Sequence, residues 1–253
     1  MITIAVVNNK GGVGKTTTAY NLAYELMARG YYVLGIDSDS QGNFSDTWGS
    51  DPECVGLPDL LSGEVEDIKD AIQYGEEGQF DLVSGGKYLR ALENSREFSA
   101  NFKLRKLLSK MDKHYEYCII DTPPAVSTLT IGAMIAADYI VITATPEAFS
   151  LDGLVKLNEN IIAVHEAGGK AEVLGILLTR YRKNTRLARE MTDVFKSVAE
   201  KLGTSLFETF INESMSVKEA EAARMSCREY NDRSTGAMDY HDFADEVEVL
   251  TQD

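Results

Sequence analysis

Near its start the chain carries a glycine-rich run with two lysines, KGGVGKTT, from Lys10 to Thr17. Gly11, Gly12 and Gly14 have no Cβ, so the backbone there can curl closely around oxygen atoms and aim its N–H groups at them. A helix beginning near Lys15 would add its positive N-terminal end, which is how folds hold phosphate. Lys15 would then reach the β- and γ-phosphates of a nucleotide, and the Thr16 hydroxyl would take a place on Mg²⁺. The strict spacing G-x-x-x-x-G-K-[ST], anchored on Gly14-Lys15-Thr16, asks for glycine at position 9, where Asn9 stands. Lys10, an extra cation, stands beside it. Glycine-rich turns between strand and helix are common in α/β chains without any ligand. The complete string in a strand–loop–helix setting is what favours phosphate.

Two acidic features suit the same chemistry. In GIDSDSQGN, Gly35 to Asn43, Asp37 and Asp39 are spaced i, i+2 and would share one face of an extended segment, one serving a metal and the other a water. In CIIDTPP, Cys118 to Pro124, an apolar run ends in Asp121, a rigid carboxylate able to order Mg²⁺ through water. The stiff Thr122-Pro123-Pro124 turn that follows is suited to sensing a γ-phosphate and moving as a switch. Alone, an acidic D-x-D turn reads as solvated loop and an apolar run with Asp as ordinary strand. Together with the glycine loop the three are specific.

These residues need strands that end at one edge. Apolar, β-branched runs at 2–7, 32–37, 80–85, 117–122, 138–145, 171–179 and 205–211 predict strands buried on both faces, as in a parallel sheet. Helix-length segments at 16–29, 101–111, 127–137, 150–167, 185–202 and 237–250 lie between them, with a short helix at 58–62 inside the irregular stretch 46–79. The alternation predicts an α/β fold, doubly wound, with a mostly parallel central sheet and helices on both faces. One domain over 1–253 is expected. In such sheets ligands sit outside the carboxyl ends of the strands, and all three motifs follow strands.

Bulk properties narrow the field. The 253 residues are 44% apolar and 26% charged, as in an ordinary globular protein. No uncharged apolar stretch reaches 18 residues, so no membrane span is expected. Cys54, Cys118 and Cys227 are odd in number and far apart, which gives neither a metal pattern nor a disulfide framework and fits a reducing cytoplasm. A net charge of −15 repels nucleic acid on average, so any DNA contact needs a local basic patch.

The sequence resembles the ParA/MinD family of deviant Walker-A ATPases, and within it the ParA (Soj-like) branch. The resemblance rests on KGGVGKTT, IDSDSQGN, IIDTPP, TPEAFSLDGL (145–154), INESMSVKEA (211–220) and DRSTGAMDYHDFADEV (232–247), in the family's order along essentially the whole chain. It implies a P-loop ATPase using ATP and Mg²⁺, with nucleotide held by Lys10, Gly11, Gly12, Val13, Gly14, Lys15, Thr16, Thr17 and Asp121. Lys10 resembles the signature lysine that reaches across an ATP-bound homodimer to the partner's phosphates. Lys15 resembles the P-loop lysine. Asp39 resembles the carboxylate that positions the attacking water, and Thr16, Asp37 and Asp121 resemble the residues of the metal site. Catalysis would rest on Lys10, Lys15 and Asp39.

Within the family, cluster-carrying members need paired cysteines, which are missing here. MinD-like members hold membranes through a basic amphipathic tail, whereas DYHDFADEVEVLTQD is acidic, so no membrane partner is expected. A DNA-segregation role needs cations, and TRYRKNTRLAR (179–189) supplies Arg180, Arg182, Lys183, Arg186 and Arg189 without an acid. Lys218, Arg224, Arg228 and Arg233 would extend that patch. Asn212 and Ser216 stand where many relatives carry an arginine, which subtracts cations and should weaken DNA binding and flatten its salt dependence. The expected partners are a second copy, non-specific DNA and a ParB-like centromere-binding protein. The expected location is the cytoplasm, with nucleoid association in the ATP-bound form. With the first strand at residue 2, no N-terminal helix-turn-helix extension is expected. Two other roles stay open: a ParA-like positioning ATPase with a non-DNA cargo, and a nucleotide-binding regulator with little hydrolysis.

Overall fold

A computed structural model describes residues 1–93, 102–111, 114–147, 150–183 and 185–252, the side chains of 150–152 excepted. Seven strands form one sheet: β1 (Ile2–Val7), β2 (Val33–Asp37), β3 (Ile72–Gln73), β4 (Asp81–Val83), β5 (Tyr117–Asp121), β6 (Tyr139–Ala144) and β7 (Glu172–Leu178). Their order is β3-β4-β2-β5-β1-β6-β7, all neighbours parallel except β3 against β4. The helices are α1 (Lys15–Ala28), α2 (Asn43–Trp48), α3 (Leu57–Ser62), α4 (Arg90–Glu93), α5 (Lys103–Leu108), α6 (Thr128–Ala136), α7 (Ser150–Glu166), α8 (Arg186–Lys201), α9 (Met215–Ala223), α10 (Cys227–Tyr230) and α11 (Thr235–Gln252).

Alternation along each strand divides the core into two layers. Ala5, Val7, Leu34, Ile36, Cys118, Ile120, Ile140 and Ile142 face one side, where α5 to α8 contribute Leu104, Met134, Leu157 and Phe195. Ile4, Val6, Val33, Tyr117, Ile119 and Val141 face the other, covered by Leu22 and Leu26 of α1 and Tyr240, Phe243 and Val247 of α11. This is the doubly wound, mostly parallel arrangement expected from the alternating pattern. Helices expected at 16–29, 127–137, 150–167, 185–202 and 237–250 are present with small shifts of their ends. The one expected at 101–111 is shorter, Lys103–Leu108, and residue 101 lies outside the described residues.

The stretch 205–211 departs from the expected strand. It runs beside β7, with Ile176 and Leu206 forming an isolated parallel bridge. The amides of Phe207 and Ile211 donate to Ile176 and Leu178 at 3.1 and 2.9 Å. Between them the amides of Glu208 and Thr209 turn to the Glu246 carboxylate of α11 at 2.9 and 2.6 Å. A carboxylate accepting from two successive amides outcompetes the strand ladder there.

Close packing at Gly35 brings β2 against the other layer. A Cβ at Gly35 would lie 2.8 Å from both Phe44 Cε1 and Phe80 Cε2. Those rings meet each other and Tyr20 in an edge-to-face cluster with centroids 5.4 to 5.8 Å apart. Because α2 carries Phe44 and follows the D-x-D segment, this contact also seats that segment. Gly35→Ala should destabilise the chain by about 1–3 kcal/mol, seen as a lower midpoint in urea unfolding with an unchanged slope.

Candidate active site

The strands that carry the three motifs lie side by side. Asp37 of β2 and Asp121 of β5 are register partners, and Val6 of β1 pairs with Asp121. The loop after β1 therefore sits beside the carboxylate-bearing end of β5, with that of β2 one strand further out, all at the carboxyl edge. β6 and β7 flank β1 on its other side, so the strand order reverses beside this loop.

Side chains from several strands fix the loop. Asn8 Nδ2 donates to the Thr143 carbonyl of β6. Thr179 Oγ1, just past β7, donates to the Val13 carbonyl at 2.9 Å. Thr122 Oγ1 ties the end of β5 to the Val6 carbonyl at 2.7 Å. Gly12 and Gly14 take φ of 71° and 77°, the left-handed region that favours glycine, and this turns the backbone into the first turn of α1.

The start of α1 differs from that of four later helices. Ser127, Thr185, Ser214 and Ser226 cap α6, α8, α9 and α10 with side-chain oxygens. Gly14 gives α1 no side-chain cap, and no acidic residue lies in its first turn. The orphan N–H groups and positive dipole end stay available to an anion. Lys15 is buried here, and its Nζ donates to the Lys10 carbonyl at 3.0 Å.

Carboxylates surround this positive centre. Asp121 is fully buried, accepting from Thr16 Oγ1 at 2.7 Å and from the Thr122 amide at 3.0 Å. Burial, then the charge of Asp37, holds its carboxyl well above the usual range, while Thr16 pulls the other way. Burial lowers the Lys15 ammonium, opposed by Asp121 and Asp39. Asp39 is raised by burial, with the Gln41 amide and Lys15 opposing.

Asp37 departs from the expected place on a metal. Its Oδ2 accepts from the amide and hydroxyl of Ser45 at 2.9 and 2.7 Å, and its Oδ1 accepts from the Asp39 amide at 3.0 Å. Both oxygens thus serve the loop to α2, and burial lifts the carboxyl to about 6. The strand ends at Asp37, so the shared-face argument for Asp37 and Asp39 stops there. Asp39, rather than Asp37, lines the groove.

That groove, of about 530 Å³, runs from Gly11–Thr17 over the first turns of α1. Gln41 and Asn43 line one wall, and Glu221, Arg224 and Met225 at the end of α9 line another. Arg180, expected among the DNA-facing cations, is exposed and also lines this groove, on a left-handed backbone at φ 50° just after β7. Lys10 stands at the mouth, about half exposed, with its Nζ 2.8 Å from Glu147 Oε2. Glu147 was not singled out from the sequence as a site residue. It lies in the 145–154 string, whose residues 148 and 149 are outside the described residues.

The expected basic run is more neutral in space than in sequence. Arg182 Nε pairs with Glu213, Lys218 Nζ lies 3.5 Å from the same carboxylate, and Arg186 Nε lies 2.6 Å from Glu190. Lys183 and Arg189 are exposed, and Asn184 is outside the described residues. No helix among the described residues is long and apolar enough to cross a membrane. No grouping of three or more His, Cys, Asp or Glu suited to a metal occurs among them. A hydroxyl-plus-carboxylate pair such as Thr16 and Asp121 instead fits Mg²⁺, which keeps most of its waters and takes its other oxygens from phosphate.

The comparisons agree with this geometry. A family model described as an AAA domain matches residues 1–173. The chromosome partitioning protein ParA of Caulobacter vibrioides is 33% identical over 251 residues, covering 96% of this chain and 92% of that protein. The chain belongs to the ParA/MinD family of P-loop ATPases. The sporulation initiation inhibitor Soj of Bacillus subtilis is 32% identical, over 96% of this chain and 97% of its own. Among solved structures, a Mycobacterium smegmatis protein described as cobyrinic acid a,c-diamide synthase, with bound ADP and magnesium, superposes with a TM-score of 0.84 at 25% identity. That comparison covers 100% of this chain and 96% of the other.

The buried carboxyl of Asp121 gives this ParA/MinD chain a testable pH dependence. Asparagine fits the same place, its oxygen accepting from Thr122 and its amide donating to Thr16. Asp121 binds its proton more tightly when folded than when unfolded. The stability linked to that proton is therefore present below the unfolded carboxylate range and lost as pH rises through the raised folded value. Asp121→Asn should match the unmodified chain near pH 4 and exceed it at pH 8 by on the order of 1–3 kcal/mol. Thermal melts in EDTA without nucleotide measure the difference.

Proposed function

We propose that the chain is a Mg²⁺-dependent, ParA-like ATPase of DNA partition, switching with its nucleotide. The observation that carries the ATPase reading is the convergence of Lys15, Thr16, Asp121 and Asp39 on the uncapped start of α1. Support for partition comes from the full-length likeness to proteins described as chromosome-partitioning. In this reading the loop N–H groups and Lys15 bind the phosphates, and Thr16 and Asp121 hold the metal. Mg²⁺, when bound, neutralises charge on the phosphoryl oxygens.

Asp39 accepts a hydrogen bond from the attacking water and aligns it with the γ-phosphorus. The water oxygen bonds to phosphorus, the bond to the bridging oxygen of ADP breaks, and ADP leaves with the electron pair. Lys10, whose half-exposed ammonium pairs with Glu147, would serve the nucleotide of a second copy in an ATP-bound sandwich dimer. The pair is exposed on both sides, so releasing it costs about 0–1 kcal/mol. Asp37 supports the Asp39 loop rather than the metal.

The dimer would present Lys183 and Arg189, with the paired Arg182, Arg186 and Lys218, to non-specific duplex DNA. A ParB-like centromere-binding protein would stimulate hydrolysis and release. The cytoplasm is the proposed location, with nucleoid association when ATP is bound. A single domain over 1–253 is proposed to carry all of this. The carboxylates of Glu213 and Glu190, paired with Arg182 and Arg186 of the basic run, favour a second reading, a positioning ATPase whose cargo is not DNA.

Phosphate-release assays test the catalytic assignments. Asp39→Ala should lower the turnover rate about 100-fold or more, and Lys10→Ala should lower it to a similar degree. Lys10→Ala should in addition abolish ATP-dependent dimerisation in sedimentation. Unchanged hydrolysis in either variant would reject the assigned role. For DNA, binding to a random duplex should fall with salt. Arg189→Glu should weaken it and reduce the slope of log affinity against log salt by about 1 or more. Binding that is absent, or indifferent to salt, would leave the non-DNA cargo as the reading.

A further inference from the structure

The last turn of α9 closes one wall of the groove with two opposite charges three residues apart, Glu221 and Arg224. Glu221 Oε1 accepts a hydrogen bond from Thr17 Oγ1 in the first turn of α1. That turn has no acid of its own and no side-chain cap. Glu221 is thus a carboxylate brought from 204 residues away to the place that would attract an anionic ligand.

Arg224 is the second half of the feature. Only Arg180 and Arg224 among the described non-glycine residues have positive φ, 50° and 56°, and both line this groove. Backbone bonds alone close α9 at Arg224: its amide donates to Glu221 at 3.1 Å, and that of Met225 to Ala220 at 3.0 Å. Glycine is the usual residue at such a helix end, and the cap makes no use of a side chain. A long cation on a left-handed backbone beside a phosphate groove has its explanation in a ligand rather than in the fold.

We infer that the end of α9 is a phosphate-responsive latch: nucleotide phosphate oxygens displace Glu221 from Thr17, and Arg224 takes up their charge. This rests on the groove being the nucleotide site. α9 also carries Lys218, which pairs with Glu213 beside Arg182. The groove wall and the proposed DNA face thus share one short helix.

The test compares binding of Mg²⁺–ATP, Mg²⁺–ADP and adenosine by titration calorimetry. E221Q and E221A should bind both nucleotides about five- to tenfold more tightly than the unmodified chain, with adenosine affinity unchanged. R224G, in which glycine suits the left-handed backbone, should melt at or above the unmodified temperature yet bind nucleotide about tenfold more weakly. Nucleotide affinities within twofold of the unmodified chain in both Glu221 variants would overturn the latch. So would an equal gain for adenosine. An unmodified chain that binds no nucleotide would overturn the nucleotide reading itself, which separates the two failures.

Discussion

The start of α1 is the constraint from which the site follows. A helix N-terminus exposes N–H groups that its own backbone does not satisfy, and α6, α8, α9 and α10 cover one of theirs with a serine or threonine oxygen. At α1 the cap is a left-handed glycine, so a positive end is maintained among side chains that have little access to water. Three carboxylates and one ammonium are packed around it, and burial works against the charge on all four. Such a cluster is stable only if each group has a partner. The structure supplies those partners: Thr16 and Thr122 for Asp121, Ser45 for Asp37, the Gln41 amide for Asp39 and the Lys10 carbonyl for Lys15. A polyphosphate with a divalent cation would satisfy the same groups better, because it carries both signs of charge in one ligand.

Rigid supports and loose attachments divide the site in two. Asp37 and Asp121 stand on central strands, fixed by register, and Ser38 adds a bond from its hydroxyl to the Asp121 carbonyl at 2.6 Å. Lys10 and Glu221, by contrast, meet their partners through exposed contacts near the groove's rim. Exposed pairs hold weakly because water competes for both members. The buried carboxylates thus stand on central strands, while the groups proposed to respond to a partner or a nucleotide sit where displacement is cheap.

Much of this was legible in the sequence because it is local. The phosphate loop, Asp39 and Asp121 follow apolar runs whose length and β-branching mark buried strands, and parallel strands bring their carboxyl ends to one edge. Helices α9 and α10 were missed although signals exist: Ser214 precedes one, and Ser226 with Glu229 forms a capping box at the other. Each is short and buries a single side chain, Ala220 or Cys227, so neither shows the apolar stripe that periodicity detects. What distance along the chain decides was not legible. The interruption at Glu208 and Thr209 depends on Glu246 in α11, and the role of Asp37 depends on Ser45 in α2. Arg180 reads as one more cation in a basic run, and only the folded chain shows that it lines the groove.

Charge distribution explains why the contacts around the groove are arranged as pairs. At −15 overall, the chain repels both nucleotide and DNA at long range, and two copies repel each other. Screening limits that repulsion to roughly 8–10 Å at physiological salt, so the local pattern of sign decides what can approach. At the rim the cations Lys10, Arg182 and Lys218 are each held beside a glutamate, which leaves little net field to attract polyanions indiscriminately. A second subunit that takes the place of Glu147, or a phosphate that displaces Glu221 from the Thr17 hydroxyl, would turn these satisfied contacts into directed charge. A surface of this kind would attract weakly until nucleotide binds, which is the behaviour the proposed switch requires.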